Sequence, residues 1–351
     1  MTNILIPGGA GYIGSHCIRE LQKAGYNCIV YDNFSEGHLK AVQGFEVVEG
    51  DLLDTGKLIE TIKKYNISGV IHFAAFALVG VSMREPLEYY QNNITGTISL
   101  LEAMKQTGVK NIVFSSTCAT YGENVSVPIT EETLQNPCNP YGESKLAVEW
   151  LLECADTAYG IKSVSLRYFN AAGAETDGSI GEDHLLETHL IPLVLREALN
   201  VERKMFSTID FESADSGHGY KNEKKLHVFG VDYPTPDGSC IRDYIHVLDL
   251  ADAHVRALKY LEENGETTQL NLGTGIGVSV LEIINAAREV TGIDINYNIG
   301  DRRPGDPPEL VASAEKAKKV LGWVPQRSNI KTIITDAWNW HKANPKGYDD
   351  R

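Results

Sequence analysis

Gly8-Gly9-Ala10-Gly11-Tyr12-Ile13-Gly14 decides the reading of this chain. Ile4-Leu5-Ile6 stands before it and reads as a short buried strand. A helical pattern starts near Tyr12. Glycines at 9, 11 and 14 give G-x-G-x-x-G in a first strand-to-helix turn. There they permit a tight turn and a close backbone approach to a pyrophosphate, and the helix start offers free N–H groups and partial positive charge. Asp32 closes the next apolar run, Cys28-Ile29-Val30-Tyr31, about 20 residues on, as a dinucleotide fingerprint requires. Its carboxylate can accept from both adenosine ribose hydroxyls and would repel a 2′-phosphate, so NAD is favoured over NADP. Asp51 either reaches the adenine edge or is a solvated turn residue, and the sequence leaves both open.

Further short apolar runs follow at Phe45–Val48, Val70–Phe73, Asn111–Phe114 and Ser163–Arg167. They are continuous rather than alternating, as strands of a parallel sheet covered on both faces are. Leu87–Thr107 and Tyr141–Tyr159 are long enough to be crossover helices. The rhythm predicts an α/β, Rossmann-type doubly wound parallel sheet with a smaller C-terminal α/β domain. Residues 1–169 are assigned to the dinucleotide-binding domain, with returning segments from about 226–257. Residues 170–351 are assigned mainly to the substrate. Residues 207–225, rich in Ser, Glu, Gly and Lys, read as an exposed polar insertion.

The chain has 351 residues and a formal net charge of -15. Such an acidic surface repels nucleic acid and anionic membranes, so neither is an expected partner. A locally basic site could still hold an anionic substrate. Cys17, Cys28, Cys118, Cys138, Cys154 and Cys240 include no C-x-x-C pair and no Cys/His cluster of zinc spacing, so no metal is expected. Buried reduced thiols are the default and suit the cytoplasm. The N-terminus shows no signal-peptide pattern, and no apolar run reaches the ~20 residues that span a bilayer.

Tyr141-Gly142-Glu143-Ser144-Lys145 puts a tyrosine and a lysine on one helix face. An unperturbed tyrosine has a pKa of about 10. A nearby ammonium and a cationic nicotinamide would favour its phenolate, making Tyr141 a general base near neutral pH. Lys145 can also hold the nicotinamide ribose. Phe114-Ser115-Ser116-Thr117 ends a strand on the edge where doubly wound sheets bind ligands. Thr117 is the hydroxyl expected to share the moving proton; Ser115 and Ser116 read as packing or backbone-bonding residues.

Together these motifs resemble the extended short-chain dehydrogenase/reductase superfamily. His72-Phe73-Ala74-Ala75, Pro86–Tyr90, Leu166–Asn170, Gly181-Glu182-Asp183-His184, Arg242–Val247 and Arg302-Arg303-x-Gly305-Asp306 sharpen the resemblance to its UDP-glucose 4-epimerase family. It covers nearly the whole chain except the insertion. It implies that NAD contacts Gly8, Gly11, Tyr12, Ile13, Gly14, Asp32, Asn33, Asp51, Leu52, Phe73, Ala74, Ala75, Asn92, Lys145 and Phe169. It implies that a UDP-sugar contacts Thr117, Tyr141, Asn170, His189, Leu190, Val228, Phe229, Arg242, Arg303 and Asp306. Arg242 and Arg303 bring forked donors suited to a diphosphate.

The activity implied is interconversion of UDP-galactose and UDP-glucose through a 4-keto sugar, with NAD retained throughout, in a homodimer. Pro7 replaces a usual threonine, and Ala77 a lysine near the cofactor phosphates in some relatives. Leu310 stands where a bulky tyrosine in some relatives excludes N-acetylated sugars, so activity on UDP-N-acetylglucosamine stays open. A 4,6-dehydratase needs an acid pair after the Thr117 position, where Cys118 and Ala119 stand. A non-catalytic NAD-binding regulator would not need Thr117, Tyr141 and Lys145 together.

Overall fold

The computed structural model describes residues 2–123, 126–206, 226–303 and 306–350; the polar stretch 207–225 lies outside them. Six strands open the fold: β1 (Asn3–Pro7), β2 (Asn27–Asp32), β3 (Glu46–Glu49), β4 (Gly69–His72), β5 (Asn111–Thr117) and β6 (Lys162–Tyr168). Strand Thr268–Leu272 completes a seven-stranded sheet in the order Thr268–Leu272, β6, β5, β4, β1, β2, β3. Every pairing in it is parallel.

Successive side chains of a strand face opposite ways, and β1 shows it. Ile4 and Ile6 enter a core with Ile18, Leu21, Leu250 and Leu258. Leu5 enters the opposite core with Leu58, Leu100, Met104 and Leu152. Both faces are thus covered, which is why the strands carry unbroken apolar runs. The chain runs outward from β1 to β3, then crosses back to place β4 on the other side of β1. This reversal opens a crevice beyond the carboxyl ends of β1 and β4.

The segments that return to the sheet are helix Val247–Glu262, strand Thr268–Leu272 and helix Glu315–Leu321. Of the expected return at 226–257, the part from Val247 onward packs on this sheet, and 226–229 does not. Leu226–Phe229 instead pairs with Tyr297–Gly300. Its residues join a third core with helices Leu190–Phe206, Val280–Thr291 and Ile330–Ala343. The strand at 268–272 escaped the sequence reading because Asn271 interrupts its apolar run. That asparagine is buried and satisfied by Tyr121 and Ile129.

The expected crossover helix at 87–107 is not continuous. Pro86–Tyr89 and Gly96–Thr107 are α-helical, and Tyr90–Thr95 between them winds as a π-helix. Such wide turns concentrate at functional sites. Of the cysteines, Cys138 and Cys154 are exposed rather than buried, and all are unpaired.

Candidate active site

The glycine loop is built around a close approach. Gly8 has φ of +77°, and a Cβ there would lie 2.3 Å from the Ala74 nitrogen. A Cβ on Gly14 would lie 2.5 Å from the Gly8 oxygen. Pro7, at the end of β1, needs no N–H here; its carbonyl accepts from Phe73 and Ala74 at 2.8 and 3.0 Å. Helix Tyr12–Lys23 begins after Gly11 with no side-chain cap, so its first N–H groups remain available to an anion.

Asp32 is held rigidly at the end of β2. Its carboxylate accepts from the N–H of Ala10 at 3.0 Å and of Phe34 at 2.9 Å. Burial raises its pKa, and these two N–H donors pull against the shift. Asn33 donates to Asp51 at 2.9 Å, joining the turns that follow β2 and β3. Gly8, Gly11, Asp32, Asn33, Asp51, Leu52, Phe73, Ala74, Ala75 and Asn92 all line one cleft. Ser35, Glu36, Gly37 and Phe76 line it too and were missed. A Cβ on Gly37 would meet Ala10 at 2.8 Å, a close approach that only the folded structure reveals.

Buried Asn93, on the π-helical turn, was also missed. It accepts from the Phe76 N–H at 2.8 Å, and its amide donates to the Phe76 carbonyl and the Ser144 hydroxyl. It ties the cleft wall to the helix that carries Tyr141 and Lys145.

That helix, Pro140–Tyr159, starts where Asn139 accepts from the Gly142 N–H at 2.9 Å, with Pro140 in its first turn. Lys145 is buried, and its ammonium donates to the Ser115 carbonyl at 2.8 Å. The same nitrogen lies 5.9 Å from the centre of the Tyr141 ring. Burial lowers the Lys145 pKa to about 7, with Glu149 opposing.

Burial likewise pushes the Tyr141 phenol up, with Tyr168 adding to the shift, while a hydrogen bond with Thr117 pulls it back. In this dry site desolvation is the largest effect on Tyr141, and the ammonium is only one part of the expected pair of charges, the nicotinamide ring being the other. Ser116 bonds Glu149 at 2.5 Å, and Ser115 pairs with the Tyr168 hydroxyl, which leaves Thr117 as the hydroxyl beside Tyr141.

Five of the residues assigned to the sugar nucleotide are linked in the region beyond Thr117. Arg242 pairs with Asp306, and its guanidinium also donates to the Ile241 carbonyl at 2.7 Å. Arg303 stacks 4.1 Å over the Phe229 ring. The field of Arg242 reaches Cys118, next to Thr117. Asn170 donates to the Asp243 carbonyl at 3.1 Å. Val228 does not join by its side chain, which is 1% exposed in the third core, so only its backbone can face a ligand. Phe169 packs in a small cluster with Tyr121, Ile129 and Ala312, against which Leu310 rests.

His189, just before helix Leu190–Phe206, contacts Glu182 and Glu187 at 2.9 and 3.0 Å. Burial opposes its charge, but the two carboxylates win and hold its pKa well above the ordinary value. His184 is raised against burial by the same pair. Its ring meets that of Tyr12 edge-on at 6.4 Å, beside the glycine loop. The expectation of no metal-ligand cluster rested on Cys/His spacing and overlooked this mixed group of two histidines and two glutamates.

A glycine loop, a buried carboxylate after the second strand, and a Thr/Tyr/Lys trio on the carboxyl edge define an oxidoreductase-type dinucleotide fold. The chain belongs to the NAD dependent epimerase/dehydratase family, whose sequence model matches residues 4–273. It is 50% identical to the UDP-glucose 4-epimerase of Lacticaseibacillus casei, over 99% of each chain. The structure resembles that of UDP-glucose 4-epimerase from Brucella ovis in complex with NAD, with TM-score 0.88 and 46% identity over 96% of this chain and 98% of that one. It also resembles the Bifidobacterium longum enzyme in complex with NAD+ and UDP, with TM-score 0.87 and 38% identity over 99% and 100% of the two chains.

Proposed function

We infer that this chain is an NAD-dependent UDP-glucose 4-epimerase, an isomerase interconverting UDP-galactose and UDP-glucose. The observation that carries the reading is the trio Thr117, Tyr141 and Lys145, with no carboxyl group at positions 118 and 119 where a dehydratase needs one. The residues present fit the cofactor. The Gly8 cradle leaves room only for a backbone, the helix start is uncapped, and the Asp32 carboxylate is fixed by two N–H groups. Bound NAD supplies a reversible hydride acceptor for the sugar C4.

The remaining work belongs to the chain. Tyr141 takes the proton from the 4-hydroxyl and later returns it, with Thr117 sharing the hydrogen bond. Lys145 anchors the nicotinamide ribose and favours the phenolate. Arg242 and Arg303 hold the diphosphate, Arg242 exchanging part of its contact with Asp306. The sugar pocket must accept both faces of the 4-keto sugar while the nucleotide stays gripped.

A homodimer is supported by exposed Leu87, Ile98 and Trp150, at 79%, 46% and 58%, on neighbouring helical segments of one side. Unpaired thiols fit a reducing cytoplasm, and no helix among the described residues is long and apolar enough to cross a membrane. The test is incubation with UDP-galactose, and separately with UDP-N-acetylgalactosamine, with no added NAD and product identification. UDP-glucose forms in the first arm under this reading. No turnover of any UDP-hexose by NAD-loaded protein overturns it in favour of a regulator. The second arm reads whether Leu310 leaves room for an N-acetyl group.

A further inference from the structure

Glu182, His184, Glu187 and His189 place four ligand atoms within 4.8 Å of one another. They come from one irregular stretch between strand Asn170–Ala172 and helix Leu190–Phe206. Both ends of that stretch are pinned. Gly181 exchanges hydrogen bonds with the Tyr348 hydroxyl, at 3.0 and 3.1 Å, and the Glu182 carbonyl accepts from the Trp340 indole at 3.2 Å. At the other end, one Glu187 oxygen accepts the N–H groups of Thr188 and His189, each at 2.8 Å. The backbone at Gly181 and Glu182 and the Glu187 carboxylate are therefore held by further hydrogen bonds, and the remaining side chains by contacts within the quartet.

We propose that these four residues form a binding site for one divalent transition metal ion, with Zn2+ the best fit. Zinc bonds imidazole nitrogen and carboxylate oxygen at about 2.0–2.2 Å, which sets the edges of a tetrahedral site at roughly 3.3–3.6 Å. The Nδ1 atom of His184 lies 3.4 Å from both Glu182 and Glu187, and that of His189 lies 2.9 and 3.0 Å from the same two carboxylates. The four histidine–carboxylate edges are thus within a few tenths of an ångström of that geometry, and the whole set of ligand atoms closes from a span of at most 4.8 Å.

The donor set selects the ion. Two nitrogens and two carboxylates suit zinc, cobalt or nickel, whereas Mg2+ prefers an all-oxygen octahedron. On binding, each imidazole offers Nδ1 without its proton and each carboxylate is ionised, so one M2+ meets two anionic and two neutral ligands. The site is separate from the Thr117, Tyr141 and Lys145 trio. Through Tyr12 and Leu190 it adjoins both the glycine loop and the helix start assigned to the nucleotide.

The experiment uses tag-free, full-length, NAD-loaded protein, stripped with chelator and then titrated with ZnCl2 or CoCl2 against a metal indicator. The expected result is one Zn2+ retained per chain after gel filtration, and a Co2+ complex with the intense visible absorption of tetrahedral nitrogen–oxygen coordination. Zn2+ binding should weaken as the pH falls and meet no competition from MgCl2. Glu187→Gln, which keeps the acceptor for the two N–H groups, and His184→Asn should each weaken Zn2+ binding at least ~100-fold. Their NAD content and far-UV spectra should stay unchanged, which separates loss of ligands from loss of fold. A wild type that retains no Zn2+, or variants that bind it as tightly, would overturn the proposal and leave the quartet an ion-pair cluster only.

Discussion

Replacing Gly8 by alanine asks for two things the loop cannot give. At φ of +77° an L side chain costs about 1–2 kcal/mol. The new Cβ would also lie 2.3 Å from the Ala74 nitrogen and 2.6 Å from its Cα, both backbone atoms at the end of β4 that no rotamer change can clear. Overpacking of this kind adds roughly 1–3 kcal/mol. The sum is about 2–5 kcal/mol. With an unfolding entropy near 2.1 cal/mol/K per residue over 351 residues, that corresponds to roughly 3–7 °C in Tm if the chain unfolds as one unit.

Gly25 provides the matched control. Its φ is +92°, and a Cβ there meets nothing within 4 Å. Gly25→Ala carries the first cost without the second. The assay is differential scanning calorimetry together with NAD quantified after denaturing release. Gly8→Ala should lose several degrees and most of its NAD; Gly25→Ala should lose about half as many degrees and keep its NAD. Equal Tm shifts, or full NAD in Gly8→Ala, would refute the argument that the loop is set by its approach to Ala74.

Tyr141→Phe should cut turnover of UDP-galactose by at least ~10²-fold while the NAD content stays at one per chain; unchanged turnover rejects Tyr141 as the base. Lys145→Met should change how stability depends on pH. With its folded pKa near 7 and its ordinary value near 10.5, the buried lysine binds fewer protons folded than unfolded between those limits, so wild-type stability rises with pH there. Its full destabilisation is present below pH 7. From pH 7 to 9, urea unfolding of NAD-free wild type should gain about 2–3 kcal/mol relative to the Lys145→Met variant; parallel curves reject the shift. Arg242→Lys keeps the charge but loses the fork, so KM for UDP-galactose should rise roughly 10–100-fold with little change in kcat; a pure kcat loss would place Arg242 at the chemistry instead.

The strands were legible because a sheet covered on both faces writes itself as short unbroken apolar runs. The glycine loop, Asp32 and the Tyr/Lys pair were legible because each needs its residue type at a fixed spacing. What escaped depends on contacts between distant parts of the chain. Nothing local marks Asn93 as the residue that joins Phe76 to Ser144. The π-helical turn at Tyr90–Thr95 has an ordinary amphipathic sequence. The contact of His189 with Glu182, seven positions earlier, escaped because it forms in an irregular stretch whose path no periodicity predicts.

The site electrostatics carry the argument one step further. A buried lysine near pH 7 and a phenol pushed up by burial describe a pair in which neither charge is comfortable. Glu149 favours the charged lysine, but its carboxylate is already held by Arg167 at 2.6 Å and by Ser116 at 2.5 Å, so its remaining influence is spread over several partners. A phenolate at Tyr141 therefore needs more positive charge than the chain supplies. A cation bound in the adjoining cleft is the remaining source, which couples the base to an occupied nucleotide site. An epimerase benefits directly from that coupling. In the proposed mechanism, Tyr141 is a neutral phenol while the cleft lacks its cation and a usable base once a hydride acceptor is in place. The grip of Gly8–Gly14 and Asp32 on the cofactor is then a condition for the acid–base chemistry as well as for the redox step.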